Sequence, residues 1–313
     1  MTLTQLEYII AVDTFRHFGK ASKSCHVTQP TLSAQVQKLE DELQVALFER
    51  TKNQVKTTEL GRLIVDQAKK VLHERKQLLD LVESLGDDVA GSLRLAIIPT
   101  LSPFLLPLFL KPFIENYPKV SVEVLESITE EIVQKIKDDE LDAGLLVTPL
   151  EDKSLKTISL YMEPFYLFVA PTHPFYEKKE VHEDELQLDD IWLLNKGNCF
   201  RDQVLSICQS KKTRPKERIY FESGNFETLK NMVLQAGGYT ILPQMALDHL
   251  PDEQKKYVRP LSKPVPSREI SLVFSKDSKK VKIFEALEEE ILKNLTEEIL
   301  VPEQDLNKID IKL

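Results

Sequence analysis

Cys199 and Cys208 stand nine residues apart around Phe200-Arg201-Asp202-Gln203-Val204-Leu205-Ser206-Ile207. Two thiols can give up electrons to an oxidant and pair as a disulfide, but here length and conformation conflict. Val204, Leu205, Ile207 and Cys208 fall close to helical apolar spacing, which predicts a short helix. Nine residues of helix separate its ends by about 13 Å, whereas a disulfide needs its two Cα atoms within about 7 Å. Pairing would require the helix to unwind or move, so the segment is a candidate two-state redox element. On residue types alone, cysteines at this distance are more often core residues than a switch.

The elements around this segment are legible as alternating strands and helices. Ser92–Ile98 alternates and then runs apolar, as a strand covered on both faces does. Pro99-Thr100 ends it, and Leu105–Tyr117 reads as a helix despite its prolines. Val120–Val124 alternates as a strand, Thr129 can cap a helix over Glu130–Lys137, and Leu141–Val147 is the next buried strand. This βαβαβ order predicts a doubly wound α/β subdomain, with ligands beyond the carboxyl ends of the strands, where Thr100 and Thr129 fall. Plain helix capping is the simpler reading of both threonines. Phe165–Val169 opens a second subdomain and Arg268–Phe274 returns to the first, so crossings near Glu163 and Ser267 predict a two-stranded hinge. The redox segment then lies near the cleft, facing the threonines.

At 313 residues the chain is too long for one ordinary core. Its composition, 42% hydrophobic and 29% charged, is that of a protein with well-formed cores. The net charge of -9 is uneven: residues 1–60 carry seven Lys/Arg against seven Asp/Glu, so the remainder holds all of it. A neutral N-terminal module binds nucleic acid only if its charges segregate by face. The start, Met1-Thr2-Leu3-Thr4-Gln5-Leu6-Glu7, has no secretory pattern. No apolar run approaches the ~18 residues of a membrane span. Three cysteines do not make a structural disulfide framework. A cytoplasmic protein without membrane contact, metal or cofactor, its thiols reduced at rest, is the expectation.

Leu3, Leu6, Ile9, Ile10 and Val12 predict a first helix, and Ala21, Ser22 and Cys25 a short second one with Cys25 in the core. Thr28 can cap a third, with Pro30 in its first turn and Leu32, Val36, Leu39 and Leu43 buried. Two short helices and a tight turn, with an amide- and hydroxyl-rich outer face, describe a helix-turn-helix. Thr28, Gln29, Pro30, Thr31, Ser33, Gln35 and Lys38 are its candidate DNA-facing residues. Lys52-Asn53-Gln54 reads as the turn of a β-hairpin wing carrying Arg50, Lys52 and Lys56 toward the DNA backbone. A three-helix protein-interaction module with a solvated cationic loop is the alternative, and propensity leaves that choice open. From Thr58 to about Gly86, apolar residues at three- and four-residue spacing predict an amphipathic helix about 40 Å long. A second copy of the chain is its simplest partner.

Several motifs together resemble the LysR-type transcriptional regulators: Gln5-Leu6, Phe18-Gly19-Lys20-Ala21-Ser22, Val27-Thr28-Gln29-Pro30-Thr31-Leu32-Ser33, Leu39-Glu40, Leu47-Phe48-Glu49-Arg50, Thr57-Thr58 and Gly61. The resemblance continues through the chain. It implies an α/β protein with a winged helix-turn-helix over 1–61, a linker (dimerisation) helix over 62–90, and an effector domain over 91–313 like a periplasmic binding protein. Subdomain I would comprise 91–162 and 268–300, and subdomain II 163–267. Gly197-Asn198-Cys199-Phe200-Arg201-Asp202-Gln203 with Cys208, Ile98-Pro99-Thr100, Leu105-Leu106-Pro107, Glu227–Val233 and Ile241-Leu242-Pro243 are similar to the peroxide-sensing branch of that family. That branch commonly has a histidine where Asn198 stands; Asn can donate a hydrogen bond but takes up no proton or positive charge near neutral pH.

The resemblance turns the two cysteines into a reversible Cys199–Cys208 disulfide switch that hydrogen peroxide closes, altering DNA binding or activation. Lys196 and Arg201, near Cys199 in sequence, and the N–H groups of a helix starting at Phe200 are expected to lower its thiol pKa. Cys208, in apolar company, is expected to rest buried and protonated. Cys199 is then the attacking (peroxidatic) thiol and Cys208 the resolving one. Thr100, Thr129 and the stretch Asn198, Arg201, Asp202 are candidates to hold the peroxide, with Arg268 a further candidate. The implied partners are promoter DNA, a homodimer or homotetramer, RNA polymerase and a cellular thiol reductant. A family member answering a small metabolite in the same cleft is the alternative. A thiol peroxidase is the enzyme rival, and it would leave the helix-turn-helix unexplained.

Overall fold

The computed structural model describes residues 1–49, 55–82, 86, 88–208, 224–295 and 305–309, and residues 50, 83 and 84 by backbone alone. Contacts divide the chain into two units, Met1–Leu85 and Gly86–Leu313. Lys52, named above for the wing, lies outside the described residues.

In the first unit, α1 (Leu3–Phe15), α2 (Phe18–Ser24) and α3 (Gln29–Leu43) are followed by the hairpin β1 (Phe48–Arg50) and β2 (Val55–Thr57), then α4 (Glu59–Ser84). Each early boundary has a local cause. Thr2 and Gln5 form a capping box on α1, and Arg16 ends it in the left-handed region. His17 caps α2 through its ring nitrogen, and Thr28 caps α3 with Pro30 in the first turn. Leu32, Val36 and Leu39 of α3 close on Ile9 and Val12 of α1 in the core of this unit. Buried Glu40 fixes the entry to the wing, accepting the backbone N–H groups of Leu47 at 2.7 Å and Phe48 at 3.1 Å. Gly61 is required where it stands, because a Cβ there would lie 2.2 Å from the Leu47 carbonyl oxygen. The 26 residues of α4 leave Leu60, Leu63, Leu78, Leu79 and Val82 exposed.

The second unit contains β3 (Gly91–Ile97), α5 (Ser102–Asn116), β4 (Val120–Glu126), α6 (Thr129–Lys137), β5 (Ala143–Thr148) and the long β6 (Leu155–Val169). These are followed by α7 (Cys199–Ile207), α8 (Phe226–Ala236), β7 (Tyr239–Pro243), α9 (Gln244–Asp248), α10 (Asp252–Lys255), β8 (Val258–Pro260), β9 (Val265–Ser275), α11 (Val281–Asn294) and β10 (Leu306–Lys308). The sheet order is β4-β3-β5-β9-β6-β7, with β10 on β9 and β8 on β6. Strands β4, β3 and β5 are mutually parallel, as the βαβαβ pattern predicts. Helix α5 starts three residues before the predicted Leu105. Pro103 fits its first turn, and Leu105, Phe109 and Phe113 anchor it across the two internal prolines.

Strands β6 and β9 run antiparallel through the whole unit. They pair with the parallel strands at one end and with β7 and β8 at the other. The last pairs between them are Glu163↔Arg268 and Pro164↔Ser267, and beyond these β6 turns to β7 and β8.

Candidate functional site

Helix α7 begins after Gly197, whose φ of +83° reverses the chain as few other residues can. Asn198 is the N-cap, its Oδ1 accepting from the Phe200 N–H at 3.1 Å. Phe200, Val204 and Ile207 recur at helical spacing and anchor the helix in the core. The Phe200 ring meets Phe165 and Phe226 edge to face, with centroids 5.0 and 5.1 Å away.

The Arg268 guanidinium lies 5.1 Å from the centroid of the Phe200 ring. Arg268 is fully buried and pairs with equally buried Glu163, 2.7 Å away on β6. It also donates to Thr100 Oγ1 at 2.9 Å and to the Thr100 carbonyl oxygen at 3.3 Å. The other Glu163 oxygen accepts from the Met245 N–H at 3.0 Å. Strands β6 and β9, the loop after β3 and helix α9 thus converge on one ion pair. Such a pair holds only because its remaining lone pairs and protons are satisfied.

Cys199 is buried against this group, and burial pushes its thiol above the ordinary value. Arg268, the Thr129 hydroxyl and the Phe200 N–H act in the opposite direction, and the Glu130 carboxylate adds to the rise. The expectation for Lys196 and Arg201 is therefore corrected. Lys196 is exposed, and the Arg201 guanidinium turns back to the Leu194 carbonyl at 2.7 Å. The cation acting on Cys199 comes instead from β9.

The capping role of both threonines is also corrected. Ile128 is the N-cap of α6 and Leu101 that of α5, and neither helix has a side-chain cap. The Thr100 hydroxyl accepts from Arg268, while Thr129 Oγ1, buried beside the thiol, has no hydrogen-bond partner of ordinary geometry. A buried hydroxyl in that condition suits a small polar reactant. Asp202 lies at the exposed edge, where partial burial and Glu130 raise its carboxyl pKa against the pull of Arg201. Structure thus gathers Cys199, Asn198, Thr100, Thr129 and Arg268, and leaves Arg201 and Asp202 at the margin.

Cys208 occupies the other end of α7 as its C-cap, almost fully buried, and burial pushes its thiol up to about 12. It lies near Tyr239, whose hydroxyl is tied to both backbone groups of Gln187. Cys199 and Cys208 are both free, and Cys25 is half-buried against the N-terminal core. Among the described residues no cluster of metal-ligating side chains occurs.

Sequence reasoning missed Glu163 as a site residue. The signal was available: a carboxylate within the apolar run Leu160–Val169 needs a buried cation, and Arg268 in the facing strand supplies it.

On α3, Thr28, Gln29, Pro30, Thr31 and Lys38 are exposed, and Ser33 and Gln35 are half-buried. Gln35 accepts from Gln5 Nε2 at 3.2 Å, so part of its amide is engaged with α1. Lys56 is exposed on β2 opposite Glu49, and Arg50 pairs with Val55 across the hairpin.

Residues 3–62 match the model of the bacterial regulatory helix-turn-helix proteins of the lysR family, and residues 86–296 match the LysR substrate binding domain. The chain belongs to the LysR family of bacterial regulators. Within that family its likeness is to OxyR. It is 36% identical, over 93% of its length and 95% of the relative's, to the DNA-binding transcriptional dual regulator OxyR of Escherichia coli strain K12. It is 35% identical, over 88% of its length and 90% of the relative's, to the hydrogen peroxide-inducible genes activator of Pectobacterium carotovorum subsp. carotovorum. A full-length OxyR variant structure from Pseudomonas aeruginosa covers 94% of this chain, and 99% of that structure is matched, with a TM-score of 0.75 at 34% identity. No helix among the described residues is long and apolar enough to cross a membrane.

Proposed function

We propose that this chain is a hydrogen-peroxide-sensing transcriptional regulator that switches DNA binding or activation through a reversible Cys199–Cys208 disulfide. The observation that carries the reading is the placement of a buried thiol beside the buried Thr129 hydroxyl and a buried guanidinium. The second thiol waits at the far end of the same helix.

Burial keeps Cys199 mostly protonated at rest, so its proton leaves as the sulfur attacks. Thr129 Oγ1 is placed to hold the peroxide, and Arg268 stabilises the negative charge on sulfur. The sulfur displaces one peroxide oxygen, the O–O bond breaks, and water leaves as the sulfenic acid forms. The Cys208 thiol then displaces that hydroxyl as a second water and closes the disulfide. Two thiols and one peroxide become one disulfide and two waters. Each subunit takes one oxidation, and slow re-reduction by a cellular thiol reductant returns the pair to thiols, which separates a sensor from an enzyme.

The exposed faces of α3 and β2 support promoter DNA as the partner, through Thr28, Gln29, Pro30, Thr31, Lys38 and Lys56. The exposed apolar residues of α4 support association of two copies through that helix; a tetramer of two such dimers and RNA polymerase as the downstream contact complete the proposal.

Thr129→Val is expected to slow Cys199 oxidation about 10-fold, because a hydrogen bond to a reacting charged group is worth about 1.5 kcal/mol or more. Stopped-flow kinetics with hydrogen peroxide measures it, and a wild-type rate would remove Thr129 from the site. The reading as a whole is tested by mass spectrometry of the peptide spanning residues 196–211 after stoichiometric peroxide, beside footprints of both redox forms. Wild type should show the 199–208 disulfide, Cys208→Ser a sulfenic acid at Cys199, and Cys199→Ser neither. Identical footprints, or no disulfide in wild type, would overturn it.

A further inference from the structure

The described C-terminal segment makes two attachments that the switch does not yet account for. Strand β10 lies parallel to β9 at Val265–Ser267, on the side of β9 that β5 occupies from Glu269 onward. The Ile309 N–H donates to the Ser267 carbonyl at 2.8 Å, and Ser267 Oγ donates to the Asn307 carbonyl at 3.1 Å. Lys308 pairs with Glu269 at 2.6 Å. These bonds fall on the two residues that flank Arg268. In the other direction, the Ile309 carbonyl accepts from Gln203 Nε2 at 3.0 Å. Gln203 belongs to α7 and is completely buried; among the described residues its Oε1 has no partner, and Ile309 provides the hydrogen bond its amide makes.

The same short strand therefore grips the helix that must unwind and the strand that supplies the cation. If α7 unwinds while β10 stays in place, Gln203 Nε2 and the Ile309 carbonyl lose each other in a buried setting, which is costly. Unwinding and release of β10 are accordingly coupled.

We propose that β10 is a clamp on the redox helix, positioning α7 through the Gln203–Ile309 bond and setting how fast Cys208 reaches the oxidised Cys199. This rests on the disulfide-switch reading above. The clamp acts on closure, the step that moves the helix, and leaves the first attack on peroxide nearly untouched.

The experiment compares the full chain with a chain ending at residue 304 and with Ile309→Pro, which lacks the N–H donated to Ser267. Stoichiometric hydrogen peroxide is added, and two rates are read. Sulfenic acid formation is trapped with a 1,3-dione in a Cys208→Ser background, and disulfide closure is followed by mass spectrometry. Closure is expected to rise about fivefold or more in both altered chains, with the first step within about twofold of wild type. Closure at or below the wild-type rate in both overturns the clamp. Absence of any disulfide in the unaltered chain would instead sink the switch itself, so the two failures are distinguishable. Hydrogen exchange on the unaltered chain decides the matter should the shortened forms not fold. The Ile309 amide should exchange at least tenfold faster in the disulfide form than in the reduced form, and equal protection in both overturns the clamp.

Discussion

Arg268→Met is expected to destabilise the second unit by about 3–5 kcal/mol, because it leaves the Glu163 carboxylate buried without its cation. The Thr100 hydroxyl and carbonyl lose their donor in the same change. Urea unfolding should show the loss as a lower midpoint. The double variant Glu163→Gln with Arg268→Met should recover most of the stability, since it removes both charges and not one. It should not recover reactivity, because the guanidinium that draws the Cys199 pKa down is still missing. Recovery of both properties in the double variant would mean that Arg268 serves the fold alone.

A second large effect is expected at alkaline pH. Burial raises the Cys208 thiol to about 12 in the folded chain, against 9.0 when unburied. A raised pKa gives stability that is complete below 9 and is lost as pH climbs toward 12, because the unfolded thiol ionises first. This group alone can contribute a slope of at most about 1.4 kcal/mol per pH unit in that window. Cys199, also raised by burial, acts with the same sign. Unfolding free energies from pH 8 to 11 should therefore fall more steeply in wild type than in Cys208→Ala. Parallel curves would show that Cys208 is already solvated at rest.

The parts of the fold set by local rules were legible from residues. The capping of α3 by Thr28 with Pro30 behind it and the alternation of β4 depend on neighbours in sequence, and both appear as expected. The length of α7 and the separation of its cysteines follow from the same local spacing. What sequence misjudged was the charge environment of Cys199. Lys196 and Arg201 are near it along the chain, but one faces solvent and the other binds a carbonyl. The acting cation lies on β9, and its own partner Glu163 is 105 positions away, joined by strand register. Thr129 was misread for a related reason. A threonine ahead of a helical pattern looks like a cap, yet the helix starts at Thr129 itself and its hydroxyl turns toward α7.

The cation that tunes the thiol is also a residue of the paired strands β6 and β9. On the switch proposed above, thiol chemistry and operator binding are two readings of one equilibrium. Thermodynamic reciprocity follows for any operator that favours one redox form. By whatever factor oxidation changes its affinity for the protein, the bound operator changes the dithiol–disulfide equilibrium constant by the same factor. A promoter-bound copy and a free copy would differ in midpoint potential by that amount, about 30 mV for each tenfold change in affinity.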